Sequence, residues 1–345
     1  MNSFTSNDQS VSSGKLGARV QKRGGLVSRG SAMVAFGLAS LLVGSAQAAP
    51  TWNGQSIGTL GGFTSDAEAI NSSGTIVGRS TTSNGAFHAF KYTNGVMKDL
   101  GLVHGTASAA HGVNSSGQIV GEYTDSAGHV HAVLWSGGSA QALAIPGAAW
   151  SIAYAINDHS KIVGTYGRSG ETRVRGFLWV QGTVTDLGSL GGKGTTPKSI
   201  NIYGEIVGEA LLSSGAPRAF LWKNGHISNL GVLSGYTRST ASCINDFSQV
   251  AITCSTDVFN SERPTIWQNG ALKDIGAEAG GYTAAAINSL GHVLLTSSDI
   301  IQIYNNGSLY TVGVGGWGAA LDSKDTVVGT ADTGSDYEAF VWKKQ

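Results

Sequence analysis

Few side chains in this 345-residue sequence are spaced for chemistry, and the histidines are the first candidates. His129 and His131 stand two apart in a stretch that we predict to be a strand, so their side chains would share one face. A zinc site needs a third ligand in register, and none follows, although His104 and His111 lie in the connection before them. His131 also takes the place in an internal repeat that His88 takes in the preceding copy. We therefore predict no metal and no cofactor.

The sequence also lacks the short motifs of the common catalytic classes. It has no G-x-S-x-G nucleophile elbow, no H-E-x-x-H zinc motif and no phosphate-binding P-loop. The phrase "GSLGG" at 188–192 lacks the glycine two residues before its serine, and it matches "GTLGG" at 58–62. It is therefore a feature of the repeat, and we predict no catalytic residues.

One position of the repeat collects side chains that are cationic or become so on protonation. Each stands four residues before an aromatic residue, and the seven copies read His88, His131, Arg175, Arg218, Arg263, Ile300 and Glu338. In one interpretation they anchor a loop by hydrogen bonds to carbonyl groups. In the other, the first five form an arc that attracts anionic ligands.

A second set consists of aromatic residues in the connections between repeats. They lie five to nine residues before the repeated Asn and are Phe63, Trp150, Tyr236, Tyr282 and Trp317. His104 and Lys193 fall in the corresponding connections of the second and fourth copies. Aromatic rings around the mouth of a channel could stack on sugar rings or grip a peptide. The alternative is that they wedge between neighbouring repeats.

The elements that must position these residues come from a repeat of about 43 residues. Its turn phrase, as in "AINSSGTIVG" at 69–78, places an Asn or Asp at Asn71, Asn114, Asn157, Asn201, Asn245, Asn288 and Asp322. The spacings are 43, 43, 44, 44, 43 and 34. A fixed period in this range is the signature of a solenoid, an array or a propeller.

Each copy contains four short stretches that read as strands. In the first copy these are "AEAIN", "TIVG", "HAFKY" and a stretch that ends at Leu100. They are rich in β-branched and aromatic residues and are separated by turn phrases. The dipeptide "NG", as at 94–95, is the strongest short signal for a β-hairpin. Each copy is therefore a four-stranded antiparallel meander, and copies arranged radially bury their faces against one another.

The two ends of the chain complete the last copy. Its third strand, at 338–342, is almost at the C-terminus, while Trp52 precedes Leu60 by the eight residues that separate the aromatic from the last apolar residue in other copies. We therefore predict that "QSIGTL" at 55–60 supplies its outer strand. The fold class is all-β: a seven-bladed β-propeller over residues 49–345, closed by an N-terminal strand that joins the C-terminal blade.

The repeated phrases resemble those of a known family. "LGxLGG", "AIN-x-x-G-x-IVG", "HAFLW" and "NG…DLG", in this order over about residues 55–345, are similar to the HAF-repeat family of bacterial exported proteins. The resemblance implies a β-propeller and export, and it implies little about activity. "RPTIW" and "IQIY" in the fifth and sixth copies depart from the pattern, so those blades are expected to be irregular.

Residues 1–48 have the pattern of a signal peptide with a long basic region. Five basic residues and one acidic residue lead into the apolar run at 32–44, and "SAQA" at 45–48 then provides a cleavage site after Ala48. We expect a periplasmic or extracellular protein with no membrane span in its mature chain. An uncleaved anchor is the alternative.

The charge balance narrows the possible partners. Residues 49–345 keep 17 of the 22 basic and 21 of the 22 acidic side chains, and a nucleic-acid binder would need a basic surface. We predict a monomeric binding scaffold whose ligand, a glycan, a peptide or a small anionic molecule, sits at the loop face near the channel. The alternative is a hydrolase or lyase of polysaccharides with its active site at the channel mouth. The predicted hairpin register keeps Cys243 and Cys254 apart, so we expect two free thiols.

Overall fold

The computed structural model describes residues 48–103, 105–258, 261–276 and 281–345. The predicted leader up to residue 47 and His104 lie outside the described residues. Residues 48–345 form one compact unit, and its described part contains 28 strands. None of the described residues belongs to a helix that could cross a membrane.

The strands form seven four-stranded antiparallel sheets, which confirms the predicted seven-bladed propeller. Strand β1 (Trp52–Ser56) opens the described chain and belongs to the last blade. Blade 1 contains β2 (Gly61–Ile70), β3 (Ile76–Thr82), β4 (Phe87–Thr93) and β5 (Val96–Asp99); blade 2, β6 (Gly105–Val113), β7 (Ile119–Asp125), β8 (Val130–Ser136) and β9 (Ser139–Ala142); blade 3, β10 (Trp150–Ile156), β11 (Ile162–Gly167), β12 (Arg175–Val180) and β13 (Thr183–Asp186). Blade 4 contains β14 (Gly191–Ile200), β15 (Ile206–Leu212), β16 (Pro217–Lys223) and β17 (His226–Asn229); blade 5, β18 (Arg238–Ile244), β19 (Val250–Ser255), β20 (Arg263–Gln268) and β21 (Ala271–Asp274). Blade 6 contains β22 (Thr283–Ile287), β23 (Val293–Thr296), β24 (Ile300–Asn305) and β25 (Ser308–Val314), and blade 7 contains β26 (Gly316–Leu321), β27 (Val327–Asp332) and β28 (Tyr337–Lys344) with β1.

The repeated Asn shapes the turn between the first two strands of each blade. In blade 1, Asn71 Oδ1 accepts hydrogen bonds from the backbone N–H groups of Ser73 and Thr75 at 3.1 and 2.9 Å. Gly74 completes this turn with a φ of +82°, which favours glycine. Asn94 and Gly95 both have positive φ, as a two-residue hairpin turn requires.

The same Asn side chains also join neighbouring blades, a role that the sequence analysis did not predict. Asn71 Nδ2 donates to the backbone carbonyl of Asn114 at 2.8 Å, and the pattern continues from blade to blade as far as Asn288, which donates to the carbonyl of Asp322 at 2.9 Å. Asp322 has no amide with which to continue the series. The ring of Asn bonds is therefore open at the boundary between blades 7 and 1.

The core lies between adjacent blades. Phe90, Phe177 and Phe220, from the third strands of three blades, are fully buried. Buried hydroxyl groups add a polar link, since Ser151 Oγ accepts the backbone N–H of Ala132 from the preceding blade at 2.9 Å. A single meander would expose apolar surface on both of its faces, and packing between neighbouring blades buries both.

The closing strand is present, but its predicted limits were wrong. β1 pairs with β28 from Trp52 opposite Lys344 to Ser56 opposite Phe340, so the strand covers 52–56 instead of 55–60. Ile57, whose N–H donates to the carbonyl of Ala339, takes the place that Leu100 has in blade 1. The eight-residue spacing from Trp52 to Leu60 is a coincidence, because Leu60 already bridges to the first blade.

The two cysteines are not joined by a disulfide, as the predicted hairpin register indicated. Cys243 lies opposite Ala251 and Cys254 lies opposite Ser239, and both thiols are free. Burial is the main cause of a raised pKa for each thiol, despite hydrogen bonds that act in the other direction. Both groups therefore stay protonated and unreactive at neutral pH.

Candidate functional site

The topology divides the propeller into two ends. The Asn turns and the NG turns lie at one end, which we call the turn face. The loops between second and third strands and the connections between blades lie at the other end, which we call the loop face. The predicted binding residues that the structure describes all belong to the loop face or to the strand ends beside it.

Most side chains of the cationic arc lie within hydrogen-bond distance of a carboxylate. His88 Nδ1 lies 2.7 Å from Asp99 Oδ2, and Arg263 Nε lies 2.9 Å from Asp274 Oδ1. Arg175 pairs with Glu171 at 2.6 Å. These acids sit at the end of the outer strand or in the adjoining loop. The pairing reduces the positive charge that the loop face presents.

The other two members of the arc, His131 and Arg218, also have hydrogen-bond partners. His131 Nε2 lies 3.0 Å from Asp125 Oδ2, and this hydrogen bond, with those from the backbone of His129 and Ala127, holds the pKa of Asp125 well below its usual range. Arg218 donates to the backbone carbonyl of Thr237 in the connection to the next blade. Within the described ranges, no group of three or more His, Cys, Asp or Glu side chains is placed to hold a metal.

The predicted aromatic set divides into three environments. Tyr236 and Tyr282 pack, partly buried, against the cores between blades 4 and 5 and between blades 5 and 6. Trp150 is half-buried and lies against Gly167 of its own blade, where a Cβ would be 2.2 Å from the indole Nε1. Phe63 and Trp317 are different, since they are 77% and 43% exposed. Lys193 is also exposed, on β14.

Trp317 is one half of an exposed aromatic pair. Its ring centroid lies 5.5 Å from that of Tyr337, with 37° between the ring planes, and Tyr337 is 48% exposed. Trp317 is on the innermost strand of blade 7, opposite Thr330 of β27. Opposed residues of an antiparallel pair project from the same side of the sheet. Because Thr330 contacts blade 1, the tryptophan also faces blade 1.

Polar groups of blade 1 connect to Thr330, the residue opposite Trp317. Thr330 Oγ1 donates to Asp66 Oδ1 at 3.2 Å, and Arg79 Nε donates to Asp66 Oδ2 at 2.9 Å. The guanidinium of Arg79 in turn stacks on Phe87, 4.9 Å from the ring centroid. Arg79 is nearly half exposed and Asp66 about a quarter. Both therefore remain accessible to a ligand.

Thr330 thus links the ring pair of blade 7 to Asp66 and Arg79 of blade 1, and we call these side chains, with Phe87, on which Arg79 stacks, and the exposed Phe63, the boundary patch. Its members are Phe63, Asp66, Arg79, Phe87, Trp317 and Tyr337. Sequence reasoning found Phe63 and Trp317 and missed the other four. Tyr337 and Phe87 hold the same place in their blades, immediately before the arc position, and that equivalence in the aligned repeats was the only available signal.

Comparison with known proteins identifies the fold and no family. No family model matches the chain, and no curated protein resembles it in sequence. Among solved structures, an acylaminoacyl peptidase from Pyrococcus horikoshii has a TM-score of 0.55 at 12% identity, over 81% of this chain and 52% of that one. A puromycin-hydrolyzing peptidase from Mycobacterium tuberculosis has a TM-score of 0.54 at 12% identity, over 79% of this chain and 49% of that one.

A third similar structure is the SapL1 lectin in complex with α-methyl fucoside. Its TM-score is 0.47 at 13% identity, over 73% of this chain and 96% of that one. This chain spans about half the length of the two peptidases and nearly all of the lectin. Structural similarity at these sequence identities supports the β-propeller fold, and it does not indicate a ligand or an activity.

Proposed function

We propose that the protein is a binding scaffold and that its ligand is a glycan held at the boundary patch. The observation that carries the proposal is the exposed Trp317–Tyr337 ring pair, which Thr330, opposite Trp317, links to the charged pair of Asp66 and Arg79. Aromatic rings offer a flat apolar surface for the C–H face of a sugar. A few polar groups next to such a surface fix orientation by hydrogen bonds to hydroxyl groups.

A glycan fits these groups better than an anionic ligand does. The carboxylates beside the cationic arc reduce its net positive charge. At the patch, the opposite charges of Asp66 and Arg79 already compensate each other. A neutral ligand rich in hydroxyl groups can hydrogen-bond to both partners without separating them. A formal charge on the ligand would compete with the existing pair.

The test is a glycan-binding screen of the purified protein, followed by titration calorimetry with the glycan that binds best. Trp317→Ala and Tyr337→Ala should each weaken binding roughly 2- to 13-fold, because a stacked ring contributes about 0.5–1.5 kcal/mol beyond area burial. Each should cost only about 1 kcal/mol of stability or less, since both rings are half exposed. Tyr203→Ala is the matched control, because this tyrosine is 71% exposed at the turn face.

The control variant should bind with the affinity of the parent protein. Loss of binding in all three variants would point to a nonspecific effect, and full binding in both patch variants would show that the ligand lies elsewhere. A large loss of thermal stability in Trp317→Ala would instead indicate a structural wedge.

The alternative function, a polysaccharide hydrolase or lyase, is tested with the same ligands. Bound glycans are incubated with the protein, and new reducing or unsaturated ends are measured. Cleavage that is lost in Asp66→Asn or Arg79→Gln would assign catalysis to the patch. We expect binding without cleavage.

We also propose that the protein is exported and belongs with the HAF-repeat proteins. The order of the repeated phrases supports the second statement, and the basic, apolar and small-residue segments of positions 1–48 support the first. N-terminal sequencing of the native protein tests export. A mature chain that begins at Ala49 is the expected result, and a soluble protein that retains residues 1–30 would contradict it.

A further inference from the structure

The wall of the central channel carries a ring of side chains that is separate from the boundary patch. In every blade, the pairing of the innermost strand with the second strand contains a single extra residue at an equivalent place, and blades 1, 2 and 4 have a second irregularity nearer the start of the strand. The equivalent extra residue lies three positions before the turn Asn or Asp. A β-bulge of this kind leaves one residue unpaired and changes the direction of its side chain. The seven residues, which we call the bulge ring, are Glu68, His111, Tyr154, Lys198, Ser242, Ala285 and Ala319.

The packing on each side of the bulge shows where the ring residues point. In blade 1, Ala67 packs in the core shared with blade 7, while Ala69 packs against the core shared with blade 2. Glu68 stands between them and is exposed. Because the sides of the blade are covered by its neighbours, an exposed side chain in the middle of the innermost strand faces the channel. Two adjacent ring members contact each other, since the rings of His111 and Tyr154 lie 5.9 Å apart across the boundary between blades 2 and 3.

The bulge ring has a polar half and a small half. Blades 1 to 4 contribute the four ionisable side chains Glu68, His111, Tyr154 and Lys198. Blades 5 to 7 contribute the three small side chains Ser242, Ala285 and Ala319. These small side chains project less far than the polar ones, and Ala285 packs against the core between blades 6 and 7.

The polar half contains groups whose interactions are incomplete. Glu68 and Lys198 are both exposed, and neither makes a hydrogen bond or an ion pair with any other described residue. His111 Nε2 is buried without a hydrogen bond to the described residues, and the nearest carboxylate oxygen, Glu122 Oε2, is 3.5 Å away. Burial of Tyr154 raises the pKa of its phenol, so this side chain stays neutral. The channel wall thus offers one anion and one cation without partners.

We propose that the bulge ring binds a small linear zwitterion, with its ammonium group at Glu68 and its carboxylate at Lys198. These residues lie three blades apart in a ring of seven, so they face each other across much of the channel. A ligand with both charges satisfies both residues. A ligand with one charge would leave the other residue uncompensated. His111 and Tyr154 would line the flank of the ligand.

The experiment is titration calorimetry of the purified protein with glycine, γ-aminobutyrate and ε-aminocaproate, which place the same two charges at increasing separation. Hexylamine and hexanoate each carry one of the two charges of ε-aminocaproate. We expect affinity to peak at one chain length and to fall at least about 10-fold for the singly charged compounds, or roughly 1.4 kcal/mol. No binding of any zwitterion at about 1 mM, or equal binding of hexylamine or hexanoate, would overturn the proposal.

Three variants test the assignment of the charges. Glu68→Gln and Lys198→Gln should each weaken zwitterion binding at least about 10-fold. The double exchange Glu68→Lys with Lys198→Glu should recover it, because a linear zwitterion can bind in the reverse direction. Parent-like binding in both single variants, or no recovery in the double exchange, contradicts the proposed bridge. Trp317→Ala should leave this affinity unchanged, which separates the bulge ring from the boundary patch.

Discussion

The ring of Asn side chains predicts that Asp322→Asn makes the protein more stable. In six blades the amide Nδ2 donates to the carbonyl of the next turn residue, at 2.8 to 3.3 Å. The seventh donor is missing because Asp322 has a carboxylate in place of the amide. Asp322 Oδ1 accepts the N–H groups of Lys324 and Thr326 at 2.8 Å, a role that an Asn oxygen can take over. The substitution should therefore close the ring to Asn71 without disturbing the turn.

The size of the effect follows from the buried site. Asp322 is only 7% exposed, and one added neutral hydrogen bond contributes about 0.5–1.5 kcal/mol. The turn N–H groups exchange a charged acceptor for a neutral one, which offsets part of the gain. We expect a net stabilisation of about 0.5–1 kcal/mol, seen as a rise in Tm of about 1–3 °C.

The assay is thermal unfolding followed by calorimetry, together with urea unfolding. Asn157→Asp is the matched control, because it removes one donor from the closed part of the ring and should lower Tm by a similar or larger amount. A Tm for Asp322→Asn that equals or falls below that of the parent, while Asn157→Asp lowers Tm as expected, would refute the idea that closure at Asp322 limits stability.

Three further predictions follow from the closure and the core. Deletion of residues 49–56 removes the outer strand of blade 7 and exposes an open sheet edge, so Tm should fall by more than about 5 °C and size-exclusion chromatography should show aggregates. Burial alone would raise the pKa of Asp325, but hydrogen bonds from Lys344 and His292 outweigh it and lower the pKa. The stability that Asp325 contributes through these hydrogen bonds is present above the pKa that its carboxyl has in the unfolded chain, and it is lost as pH falls through the lower pKa of the folded protein. Tm should therefore decrease below about pH 4, and it should decrease less steeply in Asp325→Asn. Ellman's reagent should label neither Cys243 nor Cys254 in the native protein and both in urea; rapid labelling without denaturant would contradict their burial.

Local sequence patterns were sufficient to predict the blades, because each blade is built from segments that follow one another in the chain. The turn Asn, the positive φ of Gly74 and the alternation of apolar residues act over a few positions, so they are visible in the sequence. The strand that closes the ring was harder to place. Trp52 and Lys344 are far apart in the chain, and only their pairing decides the register, which is why the predicted strand at 55–60 was shifted.

The binding surfaces depend on contacts that no spacing reveals. Trp317 and Trp150 look equivalent in the sequence, yet one is exposed beside Tyr337 and the other covers Gly167. Glu68 and Lys198 both lie at bulges of innermost strands, and a bulge is a property of two paired strands. The sequence by itself determined the number of blades, the turns and the ring closure, all of which rest on periodic local patterns. Only the tertiary structure decided which side chains stay exposed and which of them meet, because that depends on how neighbouring blades pack.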